Sequence, residues 1–162
     1  MTRRTEYPRP QLKRENWINL NGTWRFAYDD RDAGVQEKWY TGKGKYDRTI
    51  EVPFVYQSAL SGIHEKEFHD IVWYQRDFEV KWMEGQRVIL HFGAVDYEAD
   101  VYINGEHVCH HAGGHTSFEA DITDFLVSEA EQTVSVRVWD PGRDESIPRG
   151  KQFWEEKPRG IW

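Results

Sequence analysis

The sequence predicts a single all-β domain over residues 1–162, an antiparallel β-sandwich of the jelly-roll, galactose-binding-domain-like kind. Three observations carry that prediction. Apolar and polar residues alternate with a period of two in segment after segment, which places the apolar set on one face of a strand. Turn dipeptides separate those segments. Strand-like and helix-like stretches do not alternate, as a parallel α/β sheet would require.

The first strand is Thr23-Trp24-Arg25-Phe26-Ala27-Tyr28, where Trp24, Phe26 and Tyr28 share a face. A short strand follows over residues 49–52, stopped by Pro53. Residues 72–80 put Val72, Tyr74, Phe78 and Val80 together, and residues 87–92 do the same with Val88, Leu90 and Phe92. In residues 97–103, Tyr97, Ala99, Val101 and Ile103 point one way, and Glu98 and Asp100 point to a solvated face. Asn104-Gly105 then marks a hairpin into Glu106-His107-Val108, because a type I′ turn needs positive φ at both central residues. Residues 133–139 turn three valines inward, and Asn21-Gly22, Gly113-Gly114 and Pro141-Gly142 punctuate the chain. Helical signal is weak and confined to residues 34–40 and 121–126.

Composition narrows the function. Eight Trp, eight Tyr and eight Phe suit half-buried strands and offer flat surfaces for stacking a ligand. A formal charge of −7 argues against nucleic acid, whose phosphates need a basic face. The basic N-terminal residues have no apolar run behind them, and nothing later has the length of a membrane span. The lone Cys109 forms no internal disulfide and points to a cytoplasmic setting.

The carboxylate pairs do not read as a hydrolytic site. Glu98 and Asp100 are neighbours on one strand face, whereas sugar hydrolysis needs two carboxyls flanking a bond, about 5–9.5 Å apart. Four histidines and Cys109 lie within residues 107–115, and His107, Cys109 and His111 are expected on one strand face. No defined fourth ligand accompanies them, so no metal site and no cofactor are assigned. The remaining candidate is the segment after Pro148. There Arg149, Lys151 and Gln152 offer hydrogen-bonding groups beside Trp154, the combination that recognises sugar hydroxyls. A surface loop with a packed Trp has the same composition, and the residues alone leave both readings open.

Several segments together resemble family 2 glycoside hydrolases, the β-galactosidase, β-glucuronidase and β-mannosidase group. They are Tyr7-Pro8-Arg9-Pro10-Gln11, Asn16-Trp17-Ile18-Asn19-Leu20-Asn21-Gly22-Thr23-Trp24-Arg25-Phe26, Val52-Pro53-Phe54 and Val72-Trp73-Tyr74-Gln75-Arg76. Phe92-Gly93-Ala94-Val95-Asp96-Tyr97 with Val101-Tyr102-Ile103-Asn104-Gly105 is the most characteristic block, and Pro148-Arg149-Gly150-Lys151-Gln152 completes the series. The resemblance implies a jelly-roll sugar-binding domain whose catalytic glutamates lie in a separate (β/α)8 barrel of the same polypeptide. It implies no catalytic residue in this chain, a β-linked glycoside as the parent enzyme's substrate, and a loop lent to the pocket rim. Gln152 matches the place where β-galactosidases of the family put a sugar-contacting polar residue, here Gln in place of Asp. A β-galactosidase-type parent, an inactive isolated chain and an end cut before the closing strand are therefore expected. An open sheet edge left there would favour self-association. A freestanding carbohydrate-binding module or lectin and a structural oligomerisation domain are the alternatives.

Overall fold

The computed structural model describes residues 6–7, 9–142, 144–147 and 158–162. Its strands are β1 (Gly22–Tyr28), β2 (Arg48–Val52), β3 (Ile71–Phe78), β4 (Ile89–Phe92), β5 (Val95–Asp96), β6 (Glu98–Ile103), β7 (Glu106–Ala112), β8 (Phe118–Asp121), β9 (Gln132–Trp139) and β10 (Gly160–Ile161). Six of them form one antiparallel sheet in the order β2-β1-β3-β9-β6-β7. The pairs β4–β8 and β5–β10 complete the fold. Their apolar residues Leu90, Phe92, Val95, Ala120 and Ile161 join the same core as the inner face of the large sheet. The predicted all-β sandwich is what the chain forms.

Period two builds that core. Trp24 and Phe26 on β1, Val72 and Tyr74 on β3, Ala99, Val101 and Ile103 on β6, and Val134, Val136 and Val138 on β9 are all buried in it. Val80 packs against this core although β3 already ends at Phe78. The weak helical signals amount to single 3-10 turns at Trp39–Thr41 and Thr123–Phe125. Strand β8 alternates as well, with Phe118 and Ala120 packed on the core and Glu119 and Asp121 exposed, in the register Leu90↔Ala120 and Phe92↔Phe118.

The hairpin turn between β6 and β7 forms as expected, with φ of 52° at Asn104 and 88° at Gly105. Asn104 does more than bend the chain. Its amide donates to the Phe125 carbonyl (2.9 Å) and to Gln132 Oε1 (2.7 Å), while its oxygen accepts from the Thr133 N–H (2.9 Å). The turn is thereby pinned to β9.

One expectation needs correcting. His107, Cys109 and His111 do not share a face, because the β6–β7 register slips between Val101↔Cys109 and Tyr102↔His107. The extra residue, Val108, reverses the alternation, as a β-bulge does. His107 now faces Asp100, whereas Cys109 packs against the inner core.

The outer face of the large sheet is also partly covered. Trp73, Ile71, Ala27 and Tyr102 form a second buried cluster with Trp39 from the chain between β1 and β2. Asp29 holds that chain down. Its carboxylate accepts from the N–H groups of Ala33 (2.8 Å) and Gly34 (2.8 Å) and from Trp73 Nε1 (3.0 Å).

Candidate functional site

Arg149, Lys151, Gln152 and Trp154, the residues predicted to contact sugar, all lie outside the described residues. What the structure describes is how the excursion that carries them is fastened. It follows the end of β9 in the large sheet and precedes β10, which pairs with β5. At its first foot, the Asp140 N–H donates to the Asp70 carbonyl (2.8 Å) and the Gly142 N–H donates to Asp70 Oδ1 (2.8 Å). Asp144 then caps a tight turn, accepting from the N–H (2.8 Å) and hydroxyl (2.6 Å) of Ser146, and Ile147 is buried.

The second foot is Arg159, only 1% exposed. Its Nη1 donates to the Asp140 carbonyl (2.5 Å), its Nε lies 3.5 Å from Asp140 Oδ2, and its Nη1 lies 3.7 Å from Asp70 Oδ1. The guanidinium also stands 4.5 Å over the Phe68 ring. A buried cation survives only with such compensation, and here two carboxylates, a carbonyl and an aromatic face supply it. Gly142 packs closely on the guanidinium, and a Cβ there would meet Arg159 Nη2 at 3.1 Å.

The other constellations are structural in character. Glu98 and Asp100 project from one strand toward histidines: His110 Nδ1 is 3.0 Å and His107 Nε2 3.3 Å from Asp100 Oδ1, and His110 Nε2 is 3.9 Å from Glu98 Oε2. Arg137 Nη1 approaches the other Asp100 oxygen at 3.5 Å. His111 stacks on Phe118 at 4.2 Å, and His115 meets the Trp162 ring edge-on at 5.3 Å. Among the described residues, no group of three or more His, Cys, Asp or Glu is placed to hold a metal ion. Burial, and then the Asp100 charge, push the Cys109 thiol up, so it stays protonated and weakly nucleophilic near neutrality.

Sequence reasoning missed two features near the excursion. His69 Nδ1 sits 2.7 Å from Asp30 Oδ1 while its ring stacks on Tyr28 at 3.6 Å. Asp70, next in the chain, serves both excursion feet. These partners are distant in sequence, and no local pattern announces them.

The described residues form an antiparallel sandwich in which the ends of β9 and β10 meet at the start of β3. Residues 18–155 match the family model for the glycosyl hydrolases family 2, sugar binding domain, and the chain belongs to that family. A β-glucuronidase of Paenibacillus borealis is 33% identical over 160 residues, covering 96% of this chain and 26% of that protein. The β-glucuronidase of Felis catus is 35% identical over 134 residues, covering 75% of this chain and 20% of the relative. A β-galactosidase of Thermoanaerobacter pseudethanolicus is 37% identical, covering 80% of this chain and 16% of that enzyme. Among solved structures, Bifidobacterium dentium β-glucuronidase complexed with coumarin-3-O-glucuronide superposes with a TM-score of 0.66 at 31% identity, covering 78% of this chain and 20% of that one. The chain thus spans about a quarter or less of the length of these relatives.

Proposed function

We propose that this chain is the non-catalytic sugar-binding domain of a β-glycosidase that acts on β-glucuronides, and that it supplies one wall of a pocket completed by a catalytic barrel of the same polypeptide. The observation that carries the reading is the family match over residues 18–155, joined to a β-glucuronidase relative that covers 96% of the chain. The sequence favoured a β-galactosidase-type parent, and the β-galactosidase relative keeps that as the second reading. Arg149 and Lys151 beside Gln152 suit a uronate, whose carboxylate is well matched by cationic donors. A cytoplasmic location belongs to the same reading and is supported by the single thiol.

The test is kinetic. Expressed from its complete gene, the enzyme is expected to hydrolyse 4-nitrophenyl β-glucuronide with kcat/KM at least tenfold above the β-galactoside. Gln152→Ala should raise KM for the glucuronide, and the 162-residue chain alone should turn over neither substrate. A preference for the galactoside reverses the assignment of substrate. Turnover by the isolated chain removes the non-catalytic role.

A further inference from the structure

Two Asn-Gly dipeptides punctuate the chain, and the fold treats them differently. Both asparagines are exposed, and each is followed by a glycine with positive φ, 134° at Gly22 and 88° at Gly105. In such a pair the asparagine carboxamide is open to attack by the next backbone nitrogen, because glycine puts no side chain in the way and lets the chain bend toward it. Exposure and neighbour are alike at the two sites, so bonding decides between them.

Asn104 is anchored. Its Nδ2 donates to the Phe125 carbonyl and to Gln132 Oε1, and its Oδ1 accepts from the Thr133 N–H. Gln132 is itself fully buried and bonded to the Val127 N–H (2.9 Å) and carbonyl (2.7 Å), which fixes that end of the anchor. Swinging Asn104 Cγ onto the Gly105 nitrogen would break bonds on the very nitrogen that has to leave. Asn21 has no such anchor. Its hydrogen bonds are made by its backbone, from its N–H to Asn19 Oδ1 (2.8 Å) and from Arg76 Nη1 to its carbonyl (3.2 Å). Among the described residues nothing bonds its carboxamide, and it stands one residue ahead of β1.

We propose that Asn21 is a site of spontaneous covalent modification by succinimide formation, and that the bonds on Asn104 protect the second Asn-Gly pair from the same reaction. The Gly22 nitrogen forms a bond to Asn21 Cγ and loses its proton, the Cγ–Nδ2 bond breaks, and ammonia leaves. Water then opens the five-membered imide at either carbonyl, giving aspartate or isoaspartate with no change of oxidation state. Either product adds a negative charge at the entry to β1. Isoaspartate also routes the backbone through the former side chain, just where Arg76 holds the carbonyls of Leu20 (2.9 Å) and Asn21.

The 162-residue chain is incubated at pH 8 and 37 °C, and the unit mass gain at each asparagine is followed by peptide mapping with tandem mass spectrometry. Modification at Asn21 should run at least tenfold faster than at Asn104. A tenfold difference corresponds to about 1.4 kcal/mol, within reach of the bonds that Asn104 would have to give up. In urea that unfolds the chain the two rates should converge to within about twofold, and Asn21→Ser should abolish the fast release of ammonia. Equal rates in the native chain overturn the proposal. So does a native Asn21 rate tenfold below its rate in urea, which would mean that the fold protects this site too. A tenfold preference that persists in urea assigns the difference to flanking sequence and overturns the role of the Asn104 bonds.

Discussion

The inner face of the six-stranded sheet is buried and the outer face is covered in part, by different means. On the inner face, Phe26, Tyr74, Val101 and Val136 pack into an apolar core in which the chain's alternation is the whole explanation. On the outer face, Trp73 and Tyr102 are covered by residues brought across from the chain between β1 and β2. Tyr40 stacks on Tyr102 at 4.7 Å, Trp39 lies 6.1 Å from Trp73, and Gln75 donates to Ser135 Oγ at 2.9 Å. The inner face is held by non-directional burial. The outer face depends on directional bonds as well, and the carboxylate of Asp29 is their hub. Loss of area should therefore dominate inside, and loss of partners outside.

That contrast can be broken or sharpened by substitution. The largest effect is expected from Phe26→Ala, because Phe26 has no exposed surface and meets the Tyr28, Tyr56 and Tyr74 rings. A loss of about 4 kcal/mol in urea unfolding follows from the removed area and the cavity left behind. A loss below 1 kcal/mol would show that the inner face repacks freely.

Asp29→Ala comes next, at about 3 kcal/mol, since three N–H donors lose their acceptor and two of them are buried against the sheet. Its signature should be local. Near-ultraviolet circular dichroism of the outer tryptophans should change, while exchange protection in β6 and β9 persists. Uniform loss of protection would mean that the two faces fold as one unit.

The smallest effect belongs to the rim of the outer face, where Arg25 grips Asp77 with two bonds of 2.7 and 2.8 Å and Thr133 adds a third of 2.8 Å. The Arg25 hydrogen bond leads in holding the Asp77 carboxyl below its usual value, with Thr133 and the Arg25 charge helping against a smaller desolvation. A depressed folded pKa contributes stability above the unfolded value, near 3.8, which is lost as pH falls through the still lower folded value. The pair is part-exposed and screened, so about 0.5–1 kcal/mol is expected. Comparing Asp77→Asn with the parent at pH 6 and pH 2.5 checks it: the difference should shrink at the lower pH and in 1 M salt.

Legibility followed the same division. Strands β1, β3, β6 and β9 were readable because one buried face imposes period two, and the β6–β7 turn was readable because only a few residues accept positive φ. The polar face of β6 was less readable. It appeared solvated from Glu98 and Asp100, yet Tyr102 in the same phase is buried under a distant excursion. The histidine arrangement was misjudged for a local reason, since a bulge at Val108 leaves no mark in an alternating strand. Of the candidate site, the excursion could be identified from its composition and resemblance, but its fastening could not.

The sequence by itself determined the all-β class, the inner core, the hairpin at Asn104-Gly105 and the family, because each is written in short-range pattern or in motif order. Tertiary structure alone decided the cover on the outer face, the split of the histidines between faces, and the clamp of Asp70, Asp140 and Arg159. Each of those depends on residues far apart in the chain meeting in space, and a buried charge declares its partners only once the fold has removed the water around it.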